Sequence, residues 1–343
     1  MAENPAFPIR SHGGPDSEGV PLHDFSTNSN TSGPCPAALA TVQLADASHY
    51  PDAGYNTLRR QLAAFHRVEV QRVLLAASAS EFIFRITALA AQRSAAVVWL
   101  PPYSYGDYAQ AARAWKLPLV TDPAQAQLRW ACDPSSPLGT AHTRLEELAD
   151  PAALCVLDRA YEPLRLSGAL ALPDATLQCF WQLWTPNKAL GLTGVRAAYV
   201  LAPPGSEDAV AQLEGLAPSW LVGAHGAAML QAWTRPDVQA WLGRSLATLR
   251  QWKDRQVALC EAMGWTCSPS EANFFCAQPA LPPGMSLQHA LGQLRVQGIK
   301  LRDTTSFGLP GQVRLGVLSP VAQDALHNAW QQLFKKNSCP PKA

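Results

Sequence analysis

Through the middle of the chain, short apolar runs of β-forming residues alternate with stretches of helical periodicity. Residues 95–100 (Ala-Ala-Val-Val-Trp-Leu) read as a buried strand, followed by the Pro101-Pro102 turn and a helix through 108–115. Residues 154–157 predict a second strand, ended by Asp158, and 197–201 a third that begins just after Arg196. Strands alternating with helices predict a doubly wound, mainly parallel sheet, which takes its ligands at the carboxyl ends of its strands. From about Glu207 to Lys253 the pattern becomes long and helical. Beyond it, strands near 273–276 and 312–317 and helices over 287–296 and 321–335 predict a smaller α/β unit. The expected organisation is an N-terminal arm (1–45) packing on both domains, a large domain (46–215), and a linking helix with a small C-terminal domain (216–343).

The bulk numbers narrow the function classes. A chain of 343 residues has room for two domains. A net charge of +1 argues against a polyanion binder, so nucleic acid is not expected. No apolar run approaches the roughly 20 residues of a membrane span, and residues 1–14 hold no apolar segment of secretory type. Eight cysteines are scattered without a Cys-x-x-Cys pair or zinc spacing, so no metal site is expected. Cys155 and Cys276 sit in apolar runs and read as small core residues. A cytoplasmic location is the expectation.

Two segments carry chemistry. Thr185-Pro186-Asn187-Lys188-Ala189-Leu190-Gly191-Leu192-Thr193-Gly194-Val195-Arg196 sets a lysine among small residues, then a glycine turn, then an arginine. Such a lysine can condense with an aldehyde, while Arg196 offers a bidentate charge and Thr185 a hydroxyl to a phosphate. Taken alone, a lysine in a loop is usually a surface residue. Upstream, Val156-Leu157-Asp158-Arg159-Ala160-Tyr161 places an acid at a strand end. A buried carboxylate there can keep a pyridinium nitrogen protonated, and Tyr161 can hydrogen-bond a phenolic oxygen. Alone, that aspartate would pass for a helix cap.

Together these segments resemble the fold-type-I pyridoxal-phosphate enzymes, in the branch of histidinol-phosphate aminotransferases and L-threonine-O-3-phosphate decarboxylases. The resemblance runs from His12-Gly13-Gly14 to the last helix. His23-Asp24-Phe25-Ser26-Thr27-Asn28-Ser29-Asn30 is similar to the substrate-side segment of the decarboxylases, which implies a substrate contact at Asn28. Tyr50-Pro51-Asp52 is similar to a motif whose tyrosine reaches the partner subunit's cofactor phosphate, and this implies a homodimer. Ala77-Ser78-Ala79-Ser80-Glu81 resembles the phosphate-cradling turn, with Ala79 and Ser80 on the anion. Tyr103 matches the aromatic that stacks on the pyridine ring, though a tyrosine after a strand is as often ordinary packing. Near the end, Arg314 is similar to the arginine that binds the α-carboxylate, and Arg302 is implied for the substrate's phosphate. The ordinary fate of either is a surface salt bridge. Asn273, in Ala272-Asn273-Phe274-Phe275, also matches the decarboxylases, or simply begins a strand.

Departures from the pattern bear on the substrate. Asp133-Pro134-Ser135-Ser136-Pro137 stands where the branch carries asparagines, so Ser136 replaces the one that contacts the phenolic oxygen. The phosphate turn has Ala76 and Ser78 in place of glycines, and Arg159 replaces a glutamate. The implied activity is pyridoxal 5'-phosphate-dependent decarboxylation of L-threonine-O-3-phosphate to (R)-1-amino-2-propanol phosphate, a step of cobalamin biosynthesis. The expected partner is thus a small phosphorylated amino acid. The alternatives are a histidinol-phosphate or aromatic aminotransferase, or a degenerate homologue that binds without turnover.

Overall fold

The structure, a computed structural model, describes residues 13–337, so His12 and Cys339 lie outside it. Thirteen strands occur among these residues: β1 (His23–Asp24), β2 (Val73–Ala76), β3 (Val98–Trp99), β4 (Leu119–Val120), β5 (Leu128–Cys132), β6 (Leu154–Asp158), β7 (Trp181–Trp184), β8 (Ala198–Leu201), β9 (Thr266–Cys267), β10 (Phe274–Gln278), β11 (Ile299–Lys300), β12 (Arg302–Asp303) and β13 (Val313–Gly316). The chain divides into two units. Among the described residues the larger holds 29–251 and 269–273; the smaller holds 13–28, 252–268 and 274–337. The expected arm is thus shared between the units, and the helices up to Gln251 belong with the larger one.

The larger unit is built on a seven-stranded sheet of order β2-β8-β7-β6-β5-β3-β4. Every pairing is parallel except the two made by β8. The central strands β5, β6 and β7 are buried along their whole length, as strands covered on both faces must be. The expected strand at 95–100 shrinks to Val98–Trp99, because Ala95 takes a left-handed φ of 53° and ends the extended run. The helix over Ala79–Ala91 is started by Ser78, whose hydroxyl accepts from the Glu81 N–H at 3.1 Å. It buries Phe82, Ile83, Ile86 and Leu89 in the same cluster as Leu74, Trp130 and Val156. The long helical stretch resolves into three helices: Glu207–Gly215, Ala224–Trp233 and Pro236–Ala262.

The smaller unit contains the antiparallel sheet β12-β13-β10-β9 and the parallel pair β1-β11. Helices Leu287–Val296 and Pro320–Asn337 cover it, and Phe275, Leu294, Leu315 and Trp330 form its core. The N-terminal segment enters this unit by crossing β13: the Gly316 N–H donates to the Phe25 carbonyl at 2.7 Å. A Cβ at Gly316 would lie 2.6 Å from the Thr27 carbonyl oxygen, so the crossing excludes any side chain there. Among the described residues, no helix is long and apolar enough to cross a membrane.

Candidate active site

Sheet topology decides where the chemistry collects. β5, β6 and β7 run parallel, and β2 is reversed twice relative to β7, through β8, so it points the same way. The carboxyl ends of all four strands therefore share one edge of the sheet. Because β8 alone runs backward, its beginning lies at that edge. The turn 77–80 after β2, Ser136 after β5, Asp158 at the end of β6, Thr185 and Lys188 after β7, and Arg196 before β8 are all delivered there.

The turn after β2 leaves donors open for an anion. Ser78 Oγ takes the Glu81 N–H, and the Glu81 carboxylate takes the Ala77 N–H at 3.2 Å. Burial pushes the Glu81 pKa up, and Arg85 at 3.1 Å opposes that rise. No acceptor among the described residues takes the N–H groups of Ala79 or Ser80, which begin the helix where its dipole is positive. The turn needs no glycine: Ser78 sits at φ −170°, which is extended backbone. Across the edge, Thr185 Oγ1 is buried without a hydrogen-bond partner, and among the described residues nothing pairs with the exposed Arg196 guanidinium. An orphaned buried hydroxyl costs stability unless something else fills its valence. The set fits a phosphate dianion.

Asp158, 5 % exposed, accepts from Tyr108 Oη at 2.7 Å and from the Ala160 N–H at 2.9 Å. Burial pushes its pKa up, against those two hydrogen bonds and the nearby Lys188 charge. It is a carboxylate held among neutral donors, able to take a cationic N–H. Tyr108 is itself fixed by stacking on Trp130, with centroids 4.3 Å apart. Lys188 Nζ lies 5.4 Å from the centre of the Tyr161 ring. The turn after the lysine depends on Gly191, whose φ of 68° is left-handed and whose Cβ would meet Pro34 Cα at 3.0 Å.

The structure thus brings together Lys188, Asp158, Tyr161, Thr185, Arg196, Ser80 and Ala79 at one sheet edge, with Ser136 buried in the loop beside them. Tyr103 goes elsewhere. It is 40 % exposed and lines a cavity of about 440 Å³ with Trp99, Pro101, Pro123, Leu138 and His142. The aromatic beside Ser80 is Tyr105, whose hydroxyl lies 3.4 Å from Ser80 Oγ and whose ring packs edge-on to Tyr108. Sequence reasoning passed over Tyr105 and Tyr108. Their i, i+3 spacing at the start of the helix Gly106–Ala114 was the available signal. Tyr50 is 76 % exposed, stacks on Trp220 at 4.4 Å and borders a separate 750 Å³ cavity.

The departures from the family pattern are each housed. Arg159 lays its guanidinium over Trp184 at 4.4 Å and bonds Gln182 at 3.0 Å. Asp133, 2 % exposed, pairs with Arg165, which also binds Glu162 and Glu271. Asp133 accepts the His142 N–H as well, and the Gly139 carbonyl takes the Glu271 N–H at 2.7 Å. The loop carrying Ser136 is therefore braced at both ends.

In the smaller unit, Arg302 and Arg314 face each other across β12 and β13, both 7 % exposed. Burial, then the Arg314 charge, lowers the Arg302 pKa. Arg314 donates to the Ser26 carbonyl at 3.2 Å, its Nε has no partner, and no carboxylate of the described residues pairs with it. Asn28 is buried in the same unit. Asn273, in the larger unit, donates to the Ser29 carbonyl at 3.0 Å.

Against known proteins, the profile of the family described as aminotransferase class I and II matches residues 21–333. Histidinol-phosphate aminotransferase 1 of Thiobacillus denitrificans is 26 % identical over 324 residues, covering 85 % of this chain and 80 % of the relative. A crystal structure of histidinol-phosphate aminotransferase from Sinorhizobium meliloti, in complex with pyridoxal-5'-phosphate, superposes with a TM-score of 0.81 at 20 % identity, covering 97 % of this chain and 96 % of that one. L-threonine-O-3-phosphate decarboxylase from Porphyromonas gingivalis superposes with a TM-score of 0.76, also at 20 % identity, over 92 % of this chain and all of that one.

Proposed function

The chain belongs to the aminotransferase class I and II family, whose cofactor is pyridoxal 5'-phosphate, and from that premise we propose that it acts on an amino acid carrying a second anionic group, with L-threonine-O-3-phosphate decarboxylation as the leading reaction. The observation that carries this reading is the buried Arg302–Arg314 pair. Like charges placed directly opposite each other on a sheet destabilise it, and burial makes that worse. Among the described residues no acid pairs with Arg314, so an anionic ligand is its natural counterpart, and Arg302 opposite it offers a second charge.

Bound pyridoxal phosphate supplies an electron sink for the bonds at the substrate's α-carbon. The chain supplies the rest. Lys188 would anchor the cofactor's aldehyde and carry protons to and from the α-carbon. Asp158 holds the proton on the ring nitrogen. The N–H groups of Ala79 and Ser80, with Ser80 Oγ, Thr185 Oγ1 and Arg196, hold the phosphate. Tyr161 serves the phenolic oxygen and Tyr105 the ring, in place of Tyr103. Arg314 takes the substrate carboxylate, Arg302 its phosphate, and Asn28 a further polar contact. An exposed Tyr50 stacked on Trp220 supports a homodimer in which that face meets a second copy. Light scattering that finds an active monomer would remove the dimer.

Transamination is the second reading, favoured by the names of the relatives. Histidinol phosphate carries one anionic group and L-threonine-O-3-phosphate two, but the 2-oxoglutarate of a transaminase also carries two, so the arginine pair suits either reaction. The test is to supply pyridoxal phosphate and L-threonine-O-3-phosphate and to measure carbon dioxide, with Lys188→Ala as control. Release that vanishes in the variant is the expected result. A yellow, lysine-dependent protein that releases none, but converts histidinol phosphate with 2-oxoglutarate, would establish the second reading instead.

A further inference from the structure

The turn between β12 and β13 is built around the two arginines in a way that their charges alone do not require. Phe307 sits in it, half-buried, with its ring centre 5.0 Å from the Arg302 guanidinium and 5.6 Å from that of Arg314. Both distances fall within the range of cation–π attraction, in which the negative face of the ring draws a guanidinium. Phe274 adds a second ring 5.6 Å from Arg314. Next to Phe307, Ser306 Oγ accepts from Arg302 Nη2 at 2.8 Å.

The turn itself is rigidly tied. Asp303 accepts the Thr305 N–H at 2.7 Å, and Thr304 is fully buried, its hydroxyl within 2.8 Å of the Leu309 and Gln312 carbonyls. The Phe307 N–H returns to the Thr304 carbonyl at 2.9 Å. Consecutive residues of one fixed turn therefore govern both guanidiniums.

We propose that Phe307 is a positioning residue for anion recognition, holding Arg302 and Arg314 side by side so that together they receive a ligand with a carboxylate and a phosphate. This rests on the dianionic-substrate reading above. The ring acts through the arginines and offsets part of their mutual repulsion. Losing it lets the guanidiniums separate, which weakens the binding of two linked anions far more than the binding of one.

The test uses the pyridoxal-phosphate-loaded protein and 3-phosphonopropionate, a dianion that lacks an amine and so cannot react, with butyrate as the single-anion control. Calorimetry should show Phe307→Leu weakening phosphonopropionate binding about tenfold while butyrate changes little. Phe307→Tyr, which keeps the ring, should stay within about threefold of the parent. Cofactor uptake, read from visible absorbance, should be alike in all three proteins. Equal phosphonopropionate affinity in parent and Phe307→Leu overturns the proposal. So does a parallel loss of cofactor uptake, which would mark general damage. A parent that binds no phosphonopropionate overturns both this proposal and the dianionic reading. Phe307-dependent binding in a protein that releases no carbon dioxide leaves the proposal standing and removes only the decarboxylase.

Discussion

Asp133 and Asp158 follow or end neighbouring parallel strands, both are buried, and the chain treats them in opposite ways. Asp133 is locked to Arg165, in a knot with Glu162 and Glu271. Asp158 receives only neutral donors, Tyr108 Oη and the Ala160 N–H, and burial raises its pKa. The first carboxylate is finished by its own protein. Among the described residues no cation forms an ion pair with the second. That contrast sets a buried acid paired within the fold apart from one left to neutral donors.

Substitutions can break the contrast at either end. The largest effect is expected for Asp158→Asn, which should cut turnover by about 10²–10³-fold while leaving the cofactor-free protein no easier to unfold than the parent. A variant with parental turnover would mean that the carboxylate is structural after all. Arg165→Met should do the reverse. Stranding Asp133 beside two partly buried glutamates should lower unfolding free energy by about 3–5 kcal/mol, read by urea titration, with the surviving folded fraction still turning over. A smaller effect belongs to Tyr108→Phe, which removes one hydrogen bond to Asp158 and should cost about 1 kcal/mol. Turnover should fall more than stability does if that bond tunes the acid.

The finest distinction is one of pH. Because the folded protein holds the Asp158 proton more tightly than the unfolded chain, the folded state binds more protons in that window. The stability that Asp158 contributes to the cofactor-free protein is therefore present below the ordinary carboxylate range and is lost as pH rises through its folded pKa. Cofactor-free Asp158→Asn should consequently melt higher than the parent at neutral pH, with the gap closing in acid. A gap that widens in acid would reverse the assignment.

What the sequence announced and what it hid follow from how far apart the cooperating residues lie. The Lys188 segment and the strand ending in Asp158 are continuous stretches, so their chemistry could be read where it stands. The turn at 77–80 was equally local. Two tyrosines flank one serine at 103–105, and only the start of the helix at Gly106 decides that Tyr105 is the one beside Ser80. The pairing of β1 with β11 and the bond from Arg165 to Glu271 join positions distant along the chain, for which no local pattern exists. The reversal of β8 was hidden too, since a short apolar strand reads the same in either direction. Arg314 was visible as a charge in an apolar strand, and Arg302 and Phe307 only through the resemblance of their segment; the ring's place between the two guanidiniums was not.

The five residues 269–273 have a practical consequence for anyone who would divide this molecule. They belong to the larger unit yet are encoded after the chain has already left it. A fragment ending at Gln251 would lack Glu271, leaving Arg165 with Asp133 and Glu162 and depriving the Gly139 carbonyl of its N–H donor. The smaller unit, for its part, draws its residues from both sides of the larger unit's stretch of chain. No single cut yields two self-sufficient pieces, so a recombination that exchanged the C-terminal part with a relative would also exchange a brace of the loop that carries Ser136. A chimera made that way would carry a loosened loop at Ser136 whatever else it gained.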